Sequence, residues 1–203
     1  MRLRLWAHGF AWAFGCLWGG MSFSATLDTS AERLVRAMRF DEVAVFGMQA
    51  PLMESFVLAE KEGEKRSASE EKLYRCLQKM QPSIFTGVFT KWLALDTSRD
   101  GREQALVFFN SPLGKKYAEY GVTRAPEGLG FPALARPSAV SLTPADQSKI
   151  DEFNRTAAGQ MLQSKSRALN PKDGVLQPKD REVIKEVNRV WDENLGACVR
   201  GEK

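Results

Sequence analysis

Histidine is nearly missing from this sequence, and cysteine is scarce. Among 203 residues there is one histidine, His8, and three cysteines, Cys16, Cys76 and Cys198. Without imidazole the commonest proton shuttle is gone. Ser-His-Asp and Cys-His nucleophilic sites need a histidine and are excluded once His8 is removed. So few His and Cys ligands leave almost nothing from which to build a zinc site. No loop of alternating acids around a central glycine offers a calcium site. Gly128-Leu129-Gly130 follows no strand and opens no helix, so it is no phosphate cradle. Neither a cofactor nor a metal is expected. Strong charge of one sign is also lacking: 29 Lys and Arg stand against 25 Asp and Glu. That near balance gives no field suited to nucleic acid.

Two catalytic options survive formally. Ser69-Glu70-Glu71-Lys72 spells the S-x-x-K of a Ser-Lys acyl enzyme, but it lies in a charged run without companion motifs. Paired carboxylates could hydrolyse a cell-wall glycan, yet no acid stands at an apolar position that would raise its pKa.

What is present begins at the N-terminus. Arg2 and Arg4 precede an apolar stretch from Leu5 to Trp18, then Gly19-Gly20 and Ser22-Phe23-Ser24. These are the three parts of a secretory signal, with small residues where a signal peptidase reads. The expected cut lies between Ser24 and Ala25, because cutting one residue later would put bulky Phe23 at the minus-three position. The alternatives are an uncleaved anchor, since Leu5 to Leu27 is about long enough to span a bilayer, and a lipoprotein using Cys16, whose flank is spoiled by Phe14. Five small residues between Gly15 and Ser24 favour cleavage. The expected organisation is a signal peptide over 1–24 and a single helical domain over 25–203. The expected location is periplasmic or secreted, with no transmembrane segment after cleavage. Removal takes His8, Cys16, Arg2 and Arg4, so 27 bases face 25 acids. Cys76 and Cys198 then remain, which in an exported chain is the arithmetic of one disulfide; two separate buried thiols are the alternative.

Apolar residues recur at helical spacing throughout the remainder. Leu34, Val35 and Met38 share a face, and Asp41 is positioned to cap the next helix. Leu73, Leu77 and Met80 precede Pro82, and Ile84, Val88, Trp92 and Leu95 form another stripe. Ser111-Pro112 and Thr143-Pro144 each place a cap before a first-turn proline. Gly121 is a plausible helix stop. Residues 122–142, rich in proline, glycine and alanine, read as a long irregular connection. Val183, Ile184, Val187, Val190, Trp191 and Leu195 line a last helix beginning near Pro178. No strand-like alternation of useful length occurs. The fold class is all-α: a compact bundle of about seven to nine helices with one long irregular connection.

One internal echo stands out, between residues 105–117 and 149–162. Allowing one inserted residue, Arg155, Phe109 matches Phe153, Asn110 matches Asn154, Ser111 matches Thr156, and Gly114 matches Gly159. The pattern reads as a helix ending on Phe, a Ser or Thr cap, and a glycine that lets two helices approach closely. Asn154-Arg155-Thr156 also fits a glycosylation acceptor, but the corner accounts for it.

The stretch Phe109-Asn110-Ser111-Pro112-Leu113-Gly114-Lys115-Lys116-Tyr117 resembles the F-Y-x-S-P-x-G-[QK]-K signature of a bacterial exported helical family, domain of unknown function two-zero-five-nine. Asn110 departs from that family's usual aromatic. The resemblance covers Ile84 to Gly121 and, more loosely, the echo. It implies an exported all-helical protein and brings no catalytic residues.

For function, Trp92, Phe85 and Phe89 between helices, or Phe131, could line an apolar groove, with a buried core as the alternative. Lys115 and Lys116 beside Tyr117 could touch anionic groups or form a solvated face. The resulting expectation is a non-catalytic envelope interaction or accessory module, whose partner is another envelope protein or an apolar ligand and not nucleic acid. A carrier of a lipid or other apolar ligand is the runner-up, and a histidine-free cell-wall hydrolase the third reading.

Overall fold

The helical spacing becomes nine α-helices in the computed structural model, which describes residues 29–134, 140–169 and 176–202; no strand occurs among them. The Ser24–Ala25 cleavage site lies outside the described residues. In chain order the helices are α1 (Thr29–Ala37), α2 (Phe40–Lys61), α3 (Ala68–Lys79), α4 (Ser83–Ala94), α5 (Arg99–Asn110), α6 (Pro112–Gly128), α7 (Pro144–Arg155), α8 (Ala157–Leu169) and α9 (Pro178–Arg200), with a single 3-10 turn at Pro132–Leu134.

Their starts follow from local chemistry. Ser67 and Glu70 form a reciprocal capping box at α3, and Thr143 and Asp146 form another at α7. Ser98 accepts from the Gly101 amide and Ser111 from the Gly114 amide, each satisfying an orphan donor of the first turn. Pro112, Pro144 and Pro178 open their helices, where a missing N–H costs nothing.

α1 lies against both α4 and α5, and α9 packs along α4. Leu34, Leu77, Phe85, Leu106 and Ile150 are completely buried. Phe40 stacks on Trp92 at 5.6 Å and Phe85 on Trp191 at 6.5 Å between ring centres. Trp92, Phe85 and Phe89 therefore belong to the core and leave no open groove among themselves. Cys76 of α3 is bonded to Cys198 of α9, with Cα atoms 5.7 Å apart, so the bridge expected from cysteine count is present. The Trp92 indole N–H donates to Asp180 Oδ1 at 3.2 Å, and Lys165 donates to the Trp92 carbonyl at 3.0 Å, which joins α4 to α9 and α8. Arg102, also buried, donates to Ser30 and to the Thr97 carbonyl and holds α5 against α1.

Two expectations are corrected. The connection at 122–142 is not irregular throughout: α6 passes Gly121, which keeps a helical conformation, and carries Pro126 inside its last turn before ending at Gly128. Ala125 and Pro126 are buried in that turn, and burial offsets the amide that proline lacks. Residues 135–139 of this stretch lie outside the described residues. Asp41 does not cap α2. Arg39, at φ 54°, precedes the helix, and Asp41 is buried in its first turn, accepting from the Thr86 hydroxyl at 2.7 Å.

α2 is 22 residues long with apolar residues not confined to one face, and by length and composition alone it could cross a membrane. In this fold it packs against α1, α3, α4, α6 and the 3-10 turn.

Candidate functional site at two helix corners

The echo is a real pair of corners, and its register is simpler than the sequence suggests. Ser111 and Thr156 each accept from the amide three residues on, Gly114 or Gly159, at 3.0 and 3.1 Å. Each hydroxyl also donates back to the carbonyl three residues before it, Phe108 or Phe153. Phe108, not Phe109, is thus the counterpart of Phe153. No inserted residue is needed, because every pair (108 with 153, 111 with 156, 114 with 159) is separated by the same 45 positions. The spacing extends back to the caps, Ser98 with Thr143, and makes α5 and α7 equal at 12 residues.

Both glycines are required by close approach. A Cβ on Gly114 would lie 2.6 Å from Phe109 Cα, and one on Gly159 would lie 2.7 Å from Asn154 Cα. Backbone atoms at that distance cannot yield as a flexible side chain can.

The two units face one another in an isologous way. Phe108 and Phe153, the equivalent residues, stack on each other at 3.9 Å with planes 4° apart. Gly101 of α5 approaches Met161 of α8, where a Cβ would meet the sulfur at 2.9 Å. Their counterparts 45 residues away are Asp146 of α7 and Lys116 of α6, which form an ion pair at 2.6 Å. The same positions touching reciprocally is what a two-fold arrangement produces.

A cleft of about 380 Å³ opens beside these corners, walled by α5 to α8 and closed by the junction of α1 and α2. Equivalent positions face it from both units: Phe109 and Asn154, Tyr117 and Leu162, Ala118 and Gln163, Gly121 and Ser166. Met38, Phe40 and Val43 complete it, with Phe153 and Gly159 at the corner. No charged residue lines it. Charge does line the clefts beside the disulfide, with Lys72, Arg75 and Lys79, and between α4 and α9, with Lys91, Lys179 and Glu186. In a chain with 27% charged residues, an uncharged lining is informative. Burial, with a smaller contribution from Asp151, pushes the Tyr117 phenol above its ordinary range, so it is a neutral hydrogen-bonding group at physiological pH.

The residues singled out from sequence divide cleanly. Phe109, Phe153 and Gly159 line the cleft. Ser111, Pro112, Gly114 and Thr156 build its corners. Cys76 and Cys198 lie elsewhere, at the α3–α9 bridge. Of the two lysines, Lys115 is exposed and Lys116 is paired with Asp146. Ser69 sits in the exposed first turn of α3 with its hydroxyl 3.1 Å from that of Ser67, and Lys72 is exposed. Asn154 reads from sequence only as part of the corner, and Gln163 and Ser166 lie just beyond the echo as read from sequence. The gapless register sets Asn154 opposite Phe109, and carrying the echo past Tyr117 and Leu162 sets Gln163 opposite Ala118 and Ser166 opposite Gly121. Among the described residues no cluster of three His, Cys, Asp or Glu suited to a metal occurs. No protein-family profile, curated protein or solved structure matches the chain.

Proposed function

We propose that this chain is an exported, non-catalytic binding module of the cell envelope, and that the corner cleft is where it holds its ligand. The observation that carries this reading is the uncharged, largely aromatic and aliphatic lining, where the clefts beside the disulfide and between α4 and α9 are lined with charge. The volume falls in the lower part of the range for small-molecule sites, roughly 300–1,000 Å³. It accommodates a small ligand or a few side chains of a partner, and is small for a whole two-chain lipid. The Cys76–Cys198 bridge supports an oxidising compartment, which agrees with the secretory pattern of residues 1–24. The resemblance to the exported helical family rests on Ser111, Pro112 and Gly114, the residues that build the first corner.

Gly121 supplies the test. It lines the cleft, and nothing stands within 4 Å of where its Cβ would be. Gly121→Phe therefore adds a bulky ring beside the cleft with no clash at its Cβ. Native mass spectrometry of protein isolated from the periplasm is expected to show a retained uncharged ligand or partner on the wild type and its loss in Gly121→Phe, at unchanged thermal stability. N-terminal sequencing of the same sample is expected to begin at Ala25. Equal retention by both proteins, or an N-terminus at Met1, would overturn the corresponding part of the reading.

A further inference from the structure

The two units present opposite chemistry to the same cleft. At three of the four equivalent pairs the first unit is apolar or small and the second carries an uncharged hydrogen-bonding side chain: Phe109 against Asn154, Ala118 against Gln163, Gly121 against Ser166. Gly159, Leu162, Gln163 and Ser166 are spaced three, one and three residues apart, so they share one face of α8. Gln163 accepts from Arg167 through Oε1, which leaves its amide N–H groups as donors. Asn154, half-buried at the corner, adds both a donor and an acceptor.

From these two walls we infer that the cleft selects an uncharged ligand with an apolar body and one carboxamide edge, the apolar body lying against α5–α6 and the amide against Asn154 and Gln163. The inference rests on the cleft being the binding site and adds the chemical class of its occupant. A bare hydrocarbon would strip water from Asn154, Gln163 and Ser166 and give nothing back. A carboxylate or phosphate would meet a lining that carries no cation of its own, the Arg167 guanidinium being held on Gln163 Oε1. An amide offers a donor beside an acceptor, which matches the carboxamides of the wall in both senses. Such an edge belongs equally to a fatty amide and to the backbone of an apolar peptide.

Benzamide, benzoate and toluene carry the same ring and separate these cases. Titrating each into isotope-labelled protein and following the side-chain amide resonances of Asn154 and Gln163 by NMR gives affinity and location together. Benzamide is expected to bind at least about tenfold more tightly than benzoate. In Asn154→Leu/Gln163→Leu the ratio of benzamide to toluene affinity is expected to fall by about tenfold or more. Gln163→Met, which keeps the chain length, moves the ratio in the same direction alone. Acetyl-phenylalaninamide assigns the source: tighter binding than benzamide marks a peptide, weaker binding a simple amide. Benzoate binding as well as benzamide, or a ratio unmoved by both variants, overturns the amide edge while leaving the cleft as a binding site. Failure of all three ring compounds to shift any cleft resonance overturns the binding site itself.

Discussion

Gly114 and Gly159 matter because of what stands next to them, whereas Gly87 of α4 has nothing within 4 Å of its Cβ position. Gly114→Ala and Gly159→Ala are each expected to destabilise by about 2–4 kcal/mol, because the added carbon meets fixed backbone. Gly87→Ala is expected to stabilise by about 0.5–1 kcal/mol through helix propensity. Urea unfolding of the three variants separates these signs. The Lys116–Asp146 pair carries a pH signature. The Lys116 ammonium and then the Thr143 amide and hydroxyl hold the Asp146 carboxyl at about 2, below its ordinary 3.8. A lowered folded pKa contributes stability that is complete above pH 3.8 and disappears as pH falls through about 2. The stability difference between wild type and Asp146→Asn should therefore shrink across that window; a difference unchanged down to pH 2 would show that the pair does not act in this way.

Between elements, polar contacts fix what apolar burial alone would leave free to slide. Asp180, almost fully buried in the first turn of α9, meets the Trp92 indole through one oxygen, and its Oδ2 has no partner among the described residues. Trp92→Phe keeps most of the ring area but removes that donor, and is expected to cost about 2–3 kcal/mol. In an Asp180→Ala background the same substitution should cost much less, which a double-mutant cycle measures. This contact was not legible in the sequence, since Trp92 and Asp180 are 88 residues apart. The helix starts were legible at Pro112 and Pro144, because cap and first-turn proline are local signals, and at Pro178 from the proline alone, since Gln177 makes no side-chain cap. The end of α6 was not, because Gly121 and Pro126 are breakers by propensity and only packing of the last turn overrides them. The site was half legible. Its corners showed in the repeated cap and glycine, but pairing Phe109 with Phe153 set Asn154 opposite Asn110, and the echo ended at Tyr117 and Leu162, one residue short of Gln163.

Taken whole, the molecule is one bundle closed by a covalent tie between its middle and its end, the bridged residues being 122 positions apart. Closing a loop of that length is worth about 4–5 kcal/mol by the chain-entropy argument. Reduction, or Cys76→Ser with Cys198→Ser, is expected to lower the melting temperature by roughly 10–15 °C, given about 2–4 °C per kcal/mol at this size. A melting curve unmoved by reductant would mean that the bridge adds nothing to the folded state. The cleft lies on other elements, so the reduced protein should still bind while it remains folded.

The central claim is that the molecule works by holding something between its two corners. Amide hydrogen exchange tests it most directly, comparing processed protein carrying its native cargo with the same protein stripped by denaturation and refolded with the disulfide intact. The account predicts slower exchange in the loaded protein at Gly159–Ser166 of α8 and Tyr117–Gly121 of α6. Protection confined to the α4–α9 groove or to the faces of the disulfide, or identical exchange in the two samples, would contradict it.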